Sequence, residues 1–440
     1  MTSAFQTRRL ALLATLASSL WLAACGGGGG GGSGGGSSSL RALNLTTDVP
    51  SIDLFTGDTR QFSAAATDAV TATVSLNAET YTLNVKKAGD GAVLLTGAYA
   101  LAKDKHYTAV VWGRETAMRL STLPEDENTD DIATGNGRIR FFNATTDTGS
   151  VDIFITSATA DLGETSPTQG SLTSGTLSGF RDLSKGTYRL RITGAGDPND
   201  VRLDIASITI DEKKYATLVL TAGSGGVLVN ASLVQQQGSV TTLKNTKARV
   251  RMVASMNNAG NVGASLAGVT LVGSLRSPGV GPYTLVSSGA QNLTVRVNGV
   301  VINTATRTLV PGADYTILTY GAEGAGQVAV LSDDNRLPSV LTRSKIRLVN
   351  GVNAAGPLTM QVDYLTQTAT SDVAVGAGSG YATVTASGSA RLDITSATAV
   401  DPLYTVTATS GTNLLQAQGV YTVFMLGGQT APAGRLSRDR

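Results

Sequence analysis

The chain repeats itself. Residues 41–55, RALNLTTDVPSIDLF, align without a gap on residues 140–154, RFFNATTDTGSVDIF, and share Arg, Asn, Thr-Thr-Asp, Ser, Asp and Phe. The opening strand is echoed twice more, as RVRMVAS from Arg249 and KIRLVNG from Lys345. Internal similarity at this period is the mark of a tandem array, so the unit to explain is one copy of about a hundred residues. At 440 residues the chain has room for four such units, each with its own core.

A second echo closes each copy: YTAVVWG from Tyr107, YATLVLTAG from Tyr215, YTILTYG from Tyr315 and YTVFMLG from Tyr421. A tyrosine followed by a β-branched run and a glycine suits an inner strand that ends in a turn. A third, ETYTLNV around Tyr81 and GTYRLRI around Tyr188, has weaker forms in NLTVRV and ARLDI. Asn298-Gly299 and Asp90-Gly91 stand between apolar runs as two-residue hairpin turns. RVRMVAS and KIRLVNG alternate charged and apolar residues, the pattern of a strand buried on one face. No segment keeps a period of 3.6 with caps, and 52 glycines among many Thr, Ser, Val and Ala residues disfavour long helices. The expected fold is all-β, a tandem of four antiparallel β-sandwich repeats at 40–127, 138–245, 247–338 and 343–440. Pro124 to Asp131, PEDENTDD, is expected to be an acidic polar linker, and the arginine-rich tail after Gly427 to lack structure.

The N-terminus carries an export pattern. Arg8-Arg9 precede a short apolar stretch from Leu10 to Leu22, then Ala23-Ala24 and Cys25, the single cysteine. That stretch is too short to span a bilayer comfortably. Leu22-Ala23-Ala24-Cys25 resembles the lipobox of bacterial lipoproteins. The resemblance implies a signal peptide over 1–24, a diacylglyceryl group on the Cys25 thiol and further acylation after cleavage, the lipid being the membrane partner. Gly26 after the cysteine implies, by the sorting rule of such proteins, delivery to the outer membrane. Gly26 through Ser39 is glycine and serine alone, a flexible tether expected to reach about 20 Å.

The order of a basic strand with Asn, a Ser-Val-Asp-Ile-Phe strand, a Gly-Thr-Tyr strand and a Tyr-Thr strand resembles the domain-of-unknown-function 4397 family. SDDNRLP at Ser332–Pro338 resembles the family's ending. The resemblance implies immunoglobulin-like sandwiches in tandem on an envelope lipoprotein, with no catalytic residues to carry over. It is good in copies one and two and covers mainly the ends of copies three and four. Copy three departs from the pattern, with Ala254 in place of Asn and no clear Val-Asp strand.

Parts for catalysis are scarce. The one histidine, His106, directly precedes Tyr107, and the equivalent positions in the other copies are Lys214, Asp314 and Val420, which suggests a solvated strand entrance. A Gly-x-Ser-x-Gly pattern falls only within the tether, at Gly31–Gly35. The glycine clusters at 321–326 and 376–380 lack the helix and Lys-Ser/Thr pair of a phosphate loop. Glu125, Asp126, Glu127, Asp130 and Asp131, with Asp197, Asn199 and Asp200 and with Asp333, Asp334 and Asn335, could be weighed as calcium ligands. Linear acidic runs are more simply turns and a solvated linker. Asp53 and Asp152, at matching strand positions, are expected to face solvent or a hydrogen-bonding neighbour. The repeated tyrosines are expected to be core anchors with bonded hydroxyls rather than a binding platform. Residues 161–179, rich in Ser, Thr and Gly, form an insertion that is either a recognition loop or, more simply, flexible filler.

Without Arg8 and Arg9 the basic residues equal the 32 acidic ones, so the basic stripe that nucleic-acid binding needs is missing. No cofactor and no metal is expected. The expected role is non-enzymatic, binding or structural, at the cell envelope, with a protein or polysaccharide ligand. A carbohydrate-binding module is the alternative, weakened by a single mature tryptophan, Trp112. A hydrolase working with carboxylates alone is a third reading. At 5% Phe, Trp and Tyr, aromatic girdles for a membrane β-barrel are lacking.

Overall fold

The computed structural model describes residues 36–257, 260–408 and 414–440. Among these the only helical elements are three 3₁₀ turns, Glu115–Ala117, Thr129–Asp131 and Thr368–Thr370. Everything else that is regular is strand.

Copy one builds two facing sheets. In the first, Val74–Asn77, Ser37–Thr46, His106–Gly113 and Arg119–Pro124 lie side by side in that order. In the second the order is Thr59–Ala66, Ser51–Thr56, Thr80–Lys87 and Val93–Ala100. The same order of sheets and strands recurs three more times along the chain, with a fifth strand, Val240–Leu243, added to the first sheet of copy two and the edge beside the opening strand of copy four shared by Ala377–Gly378 and Ala382–Thr385. Each sandwich encloses its own apolar core, such as Leu40, Ala42, Ile52, Leu54, Leu83, Val85, Ala109 and Val111 in copy one.

Not every pairing is antiparallel. In each copy the opening strand runs parallel to the tyrosine strand, with Leu43 beside Val110, Phe141 beside Leu218, Val253 beside Leu318 and Val349 beside Phe424. Parallel neighbours need a long crossover, and the strands between them supply it by passing through the second sheet. Ser37–Ser39, expected to belong to the flexible tether, already form part of the opening strand and pair with Ser75–Asn77. Their polar side chains did not prevent this, because the ladder needs only backbone groups.

These two strands are buried on both faces. Leu40 and Ala42 point into their own sandwich, while Leu43 and Leu45 point the other way and meet Phe142, Val219 and Val234 of copy two, together with Val110 and Trp112. Trp112 and Phe142 pack edge to face, ring centroids 5.6 Å apart. Copies three and four join in the same manner through Val253, Leu318, Val349, Phe424 and Leu426. The charge–apolar alternation therefore does not mark a solvated face. Arg41, Arg140, Arg251 and Arg347 lie at the joints between copies and are only 1–7% exposed. The continuous apolar runs AVVW and VFML follow from this two-sided burial.

The asparagine of the opening strand is a buried clamp. Asn44 donates to Ala65 O (3.0 Å), Asn143 to Leu172 O (2.9 Å) and Asn350 to Val373 O (2.9 Å). In copy three, where Ala254 takes that place, the Ser277 hydroxyl bonds both the N–H and the carbonyl of Met256. Asp53 and Asp152 each have a hydrogen-bonding neighbour. Asp53 accepts from Ala64 N (2.7 Å) and Asp152 from Ser171 N (2.7 Å). Both of those residues sit at bulges with φ near +48°, so the carboxylate holds a strained backbone in place.

Two expectations are corrected. The tail after Gly427 is structured: Ala433–Arg438 forms the outer strand beside Val420–Leu426, and Asp439 and Arg440 make buried contacts. Its low apolar content misled because ladder hydrogen bonds and an ion pair hold it, not apolar area. Half of the 161–179 insertion is likewise ordered against neighbouring strands: Gln169–Leu172 pairs with Val151–Thr156, and Gly175 N donates to Asn143 O.

Copy two also meets copy three. The loop Gly223–Gly226 lies backbone to backbone on residues 312–314 and 335–336, with Gly225 N donating to Gly312 O and Asn335 N to Gly225 O. A side chain at Gly226, at φ +99°, would stand 2.4 Å from Arg336 N, so only glycine fits there.

Phe142→Ala should leave a cavity in the joint between copies one and two and lower stability by about 3–5 kcal/mol. Urea unfolding of the variant against the parent, with Trp112 fluorescence as the probe, measures it.

Candidate functional site

Buried charges need partners, and the sequence supplies them at fixed places. Each joint arginine lies beside a threonine of the tyrosine strand: Arg41 by Thr108, Arg140 by Thr217, Arg251 by Thr316 and Arg347 by Thr422. Two residues beyond the neighbour of each threonine on the outer strand come Glu125, Gln236, Asp333 and Asp439. In copies three and four the pairs cross the joint reciprocally. Arg251 binds Asp439 (2.5 Å) and Arg347 binds Asp333 (2.5 Å), while Thr316 and Thr422 donate to the same carboxylates. Asp333 also accepts from Tyr283 Oη at 2.6 Å. Burial pushes the Asp333 carboxyl up, but Arg347 and Arg251 outweigh it and hold the group below its usual range.

In copies one and two the pattern is asymmetric. Glu125 takes Arg41 (2.6 Å), and Arg41 also donates to Gln235 O and Gly238 O across the joint. Gln236 offers no charge, so Arg140 donates to Thr217 Oγ1 and Pro124 O and lies over the Phe180 ring at 4.6 Å.

The acidic candidates are thereby placed. Glu125 is a buried ion-pair partner and not part of a solvated linker. Asp126 bonds His106 Nδ1 at 2.7 Å, and Glu127, Asp130 and Asp131 are exposed. Asp200 holds Arg202, Asp334 holds Arg336 and Lys345, and Asn335 donates to Asp314. Asp333 and Asn335 are not exposed turn residues; they belong to the joint network. Among the described residues no group of three or more His, Cys, Asp or Glu side chains converges as a metal site would require.

His106 occupies a strand entrance, but its counterpart in copy two is Tyr215, not Lys214. Arg41 faces Thr108 and Arg140 faces Thr217, which sets Tyr215 beside Arg138 and level with His106. The tyrosine of copy two is thus one residue out of step. Its hydroxyl reaches Asn128 O rather than its own upstream loop. In the other three copies the hydroxyl does reach back five residues. Tyr107, Tyr315 and Tyr421 accept from Ala102 N, Val310 N and Gln416 N at 3.3, 3.0 and 2.8 Å, the bonding of a tyrosine corner. Cys25 lies outside the described residues.

Sequence reasoning did not foresee the clefts where the copies meet. One, of about 630 Å³, lies among Arg114, Arg119, Asp147, Asp334, Arg336 and Tyr381, which come from all four copies or the segments joining them. A second, of about 500 Å³, has Tyr99, Trp112, Leu120 and Ser174 in its wall, and Arg119 and Thr146 line both. Asp147 receives Arg114 Nε at 2.8 Å through Oδ2, while its Oδ1 has no partner. Tyr381 Oη is also buried and without a partner among the described residues. Ser174 and Gly175 bring the 161–179 insertion to this wall.

The domain-of-unknown-function model DUF4397 matches residues 38–154 and 248–361, just over half of the chain. The chain belongs to that family. Each DUF4397 match runs through one whole sandwich and the first strands of the next, so copy three, the departure in the sequence pattern, lies inside the second match. No curated protein matches the sequence. Among solved structures, a protein of Bacteroides uniformis provisionally described as a cell adhesion protein is 10% identical. It covers 46% of this chain and 98% of its own, with a TM-score of 0.21. The Bacillus anthracis TIE protein is 12% identical and covers 90% of this chain and 69% of its own, with a TM-score of 0.15. Scores this low carry no conclusion about fold or function.

The joint of copies three and four carries a pH signature. The stability that Asp333 contributes is fully present above its unfolded pKa of about 3.9 and is lost as pH falls through its lower folded value. Asp333→Asn should lower stability by about 3–5 kcal/mol at pH 7 by stranding Arg347. It should also flatten the acid limb of the stability profile. Denaturant titrations from pH 7 to pH 2 on parent and variant check both.

Proposed function

We propose that this DUF4397 protein is a lipid-anchored, non-enzymatic protein of the bacterial cell envelope, held to the outer membrane through Cys25. Its immunoglobulin-like sandwiches then serve a binding or structural role off the membrane surface. The observation that supports a non-catalytic reading is where the ionisable side chains go. Arg41, Glu125, Arg251, Asp333, Arg347 and Asp439 are bound to one another inside the joints, where they hold copies together away from solvent.

The welding of copies into pairs suits such a role. A two-sided sheet resists bending at the joint, because separation would expose apolar area and buried charge together. A lipid anchor with two or three acyl chains would hold the assembly at the membrane essentially permanently, since each buried CH₂ contributes about 0.8 kcal/mol.

Mass spectrometry of the N-terminal peptide from membranes is expected to find Cys25 first in the chain and acylated. Cys25→Ser should move the protein to the soluble fraction. A Cys25→Ser protein that stays with the membrane refutes the anchor. Protease treatment of intact cells tells which side the sandwiches face, since cleavage requires exposure to the medium.

A further inference from the structure

We infer that the two adjoining clefts at the junction of the copies bind a stretch of acidic polysaccharide, with Arg119 as the anchor for a sugar carboxylate. This rests on the binding role proposed above and names its ligand class.

Arrangement is the first argument. Clefts of about 500 and 630 Å³ lie side by side, with Arg119 and Thr146 in the walls of both. Two adjoining clefts suit successive residues of a polymer better than one compact metabolite.

Charge is the second. Four cationic side chains line it, Arg114, Arg119, Arg336 and Lys345, against two carboxylates, Asp147 and Asp334. Arg114 is bound to Asp147, and Arg336 and Lys345 to Asp334. Arg119 has no carboxylate within ion-pair distance among the described residues; it lies 5.9 Å from the Trp112 ring and is exposed to solvent. It stands where the clefts meet, free to take an anion.

The third argument is the rest of the lining. Tyr99 and Tyr381 are half-buried rings in the walls, the usual counterpart of a sugar's C–H face. The partly exposed Asp334 carboxylate can accept from sugar hydroxyls.

An acidic peptide would match the charge but not the rest. Arg119–Pro124 is the outer strand of its sheet, where a peptide would add as a further strand. The hydroxyl of Tyr99 already donates to Leu120 O on that edge, at 3.0 Å.

The test uses the full-length chain in detergent micelles, with its lipid in place, and three probes: sodium polygalacturonate, neutral dextran and polyglutamate. Retention in affinity electrophoresis is expected with polygalacturonate alone, weakening as salt rises. Arg119→Glu should reduce that affinity at least tenfold, with the unfolding midpoint unchanged. The inference is overturned if polygalacturonate does not bind, if polyglutamate or dextran binds as well, or if folded Arg119→Glu binds like the parent. An acylated Cys25 in a chain that binds no polygalacturonate removes this ligand and leaves the anchor standing. Binding by a chain without fatty acid does the reverse.

Discussion

Burying both faces of one sheet in every sandwich is the constraint from which the rest of the structure follows. In an isolated sandwich each strand serves one core and shows its other side to water. Here the opening strand and the tyrosine strand serve two cores, their own and the joint with the next copy. Each side chain on the outer face must therefore be apolar or fully partnered. The apolar solution is seen at Leu43, Phe142, Val253 and Val349. The partnered solution is the arginine that stands two residues earlier on the same face, with a threonine beside it and an acid beyond.

That polar solution explains why the two joints differ. A buried pair of opposite charges brings little net stability over a well-packed apolar pair, since desolvation offsets most of the attraction. It does bring selectivity, because any misplacement strands a charge. The joint of copies three and four, with two arginines and two aspartates in reciprocal contact, accepts one register. The joint of copies one and two has Gln236 in place of an acid and meets Arg140 with carbonyl oxygen and an aromatic ring instead. Apolar packing of Trp112 on Phe142 carries more of that joint.

Pairing the copies also makes the clefts. Where four sandwiches converge, turns and insertions of different copies face one another, and side chains distant in sequence come together. Arg119 of copy one, Asp147 and Ser174 of copy two, and Tyr381 of copy four could not be associated by any local pattern. Loops carried on rigid sheets commonly provide binding surfaces, and here the rigidity comes from the welded joints.

The amino-acid sequence alone determined the all-β character, the count of four copies, the two-residue hairpin turn at Asn298-Gly299 and the tyrosine corners at Tyr107, Tyr315 and Tyr421; Asp90-Gly91, expected to be such a turn, lies in a five-residue connection, 88–92. These depend on period, β-propensity and turn chemistry, which act within a few residues. It also held the Arg, Asn, Thr and Asp signals, but not their meaning, since an arginine alternating with apolar residues looks the same whether water or another copy lies above it. Only the tertiary structure decided that the charged face is buried, that Ala433–Arg438 is a strand, that Tyr215 is shifted by one residue, and that a cleft opens around Arg119. Each of these depends on which segments pair or pack at a distance along the chain, and a pattern within a few residues does not record its distant neighbours.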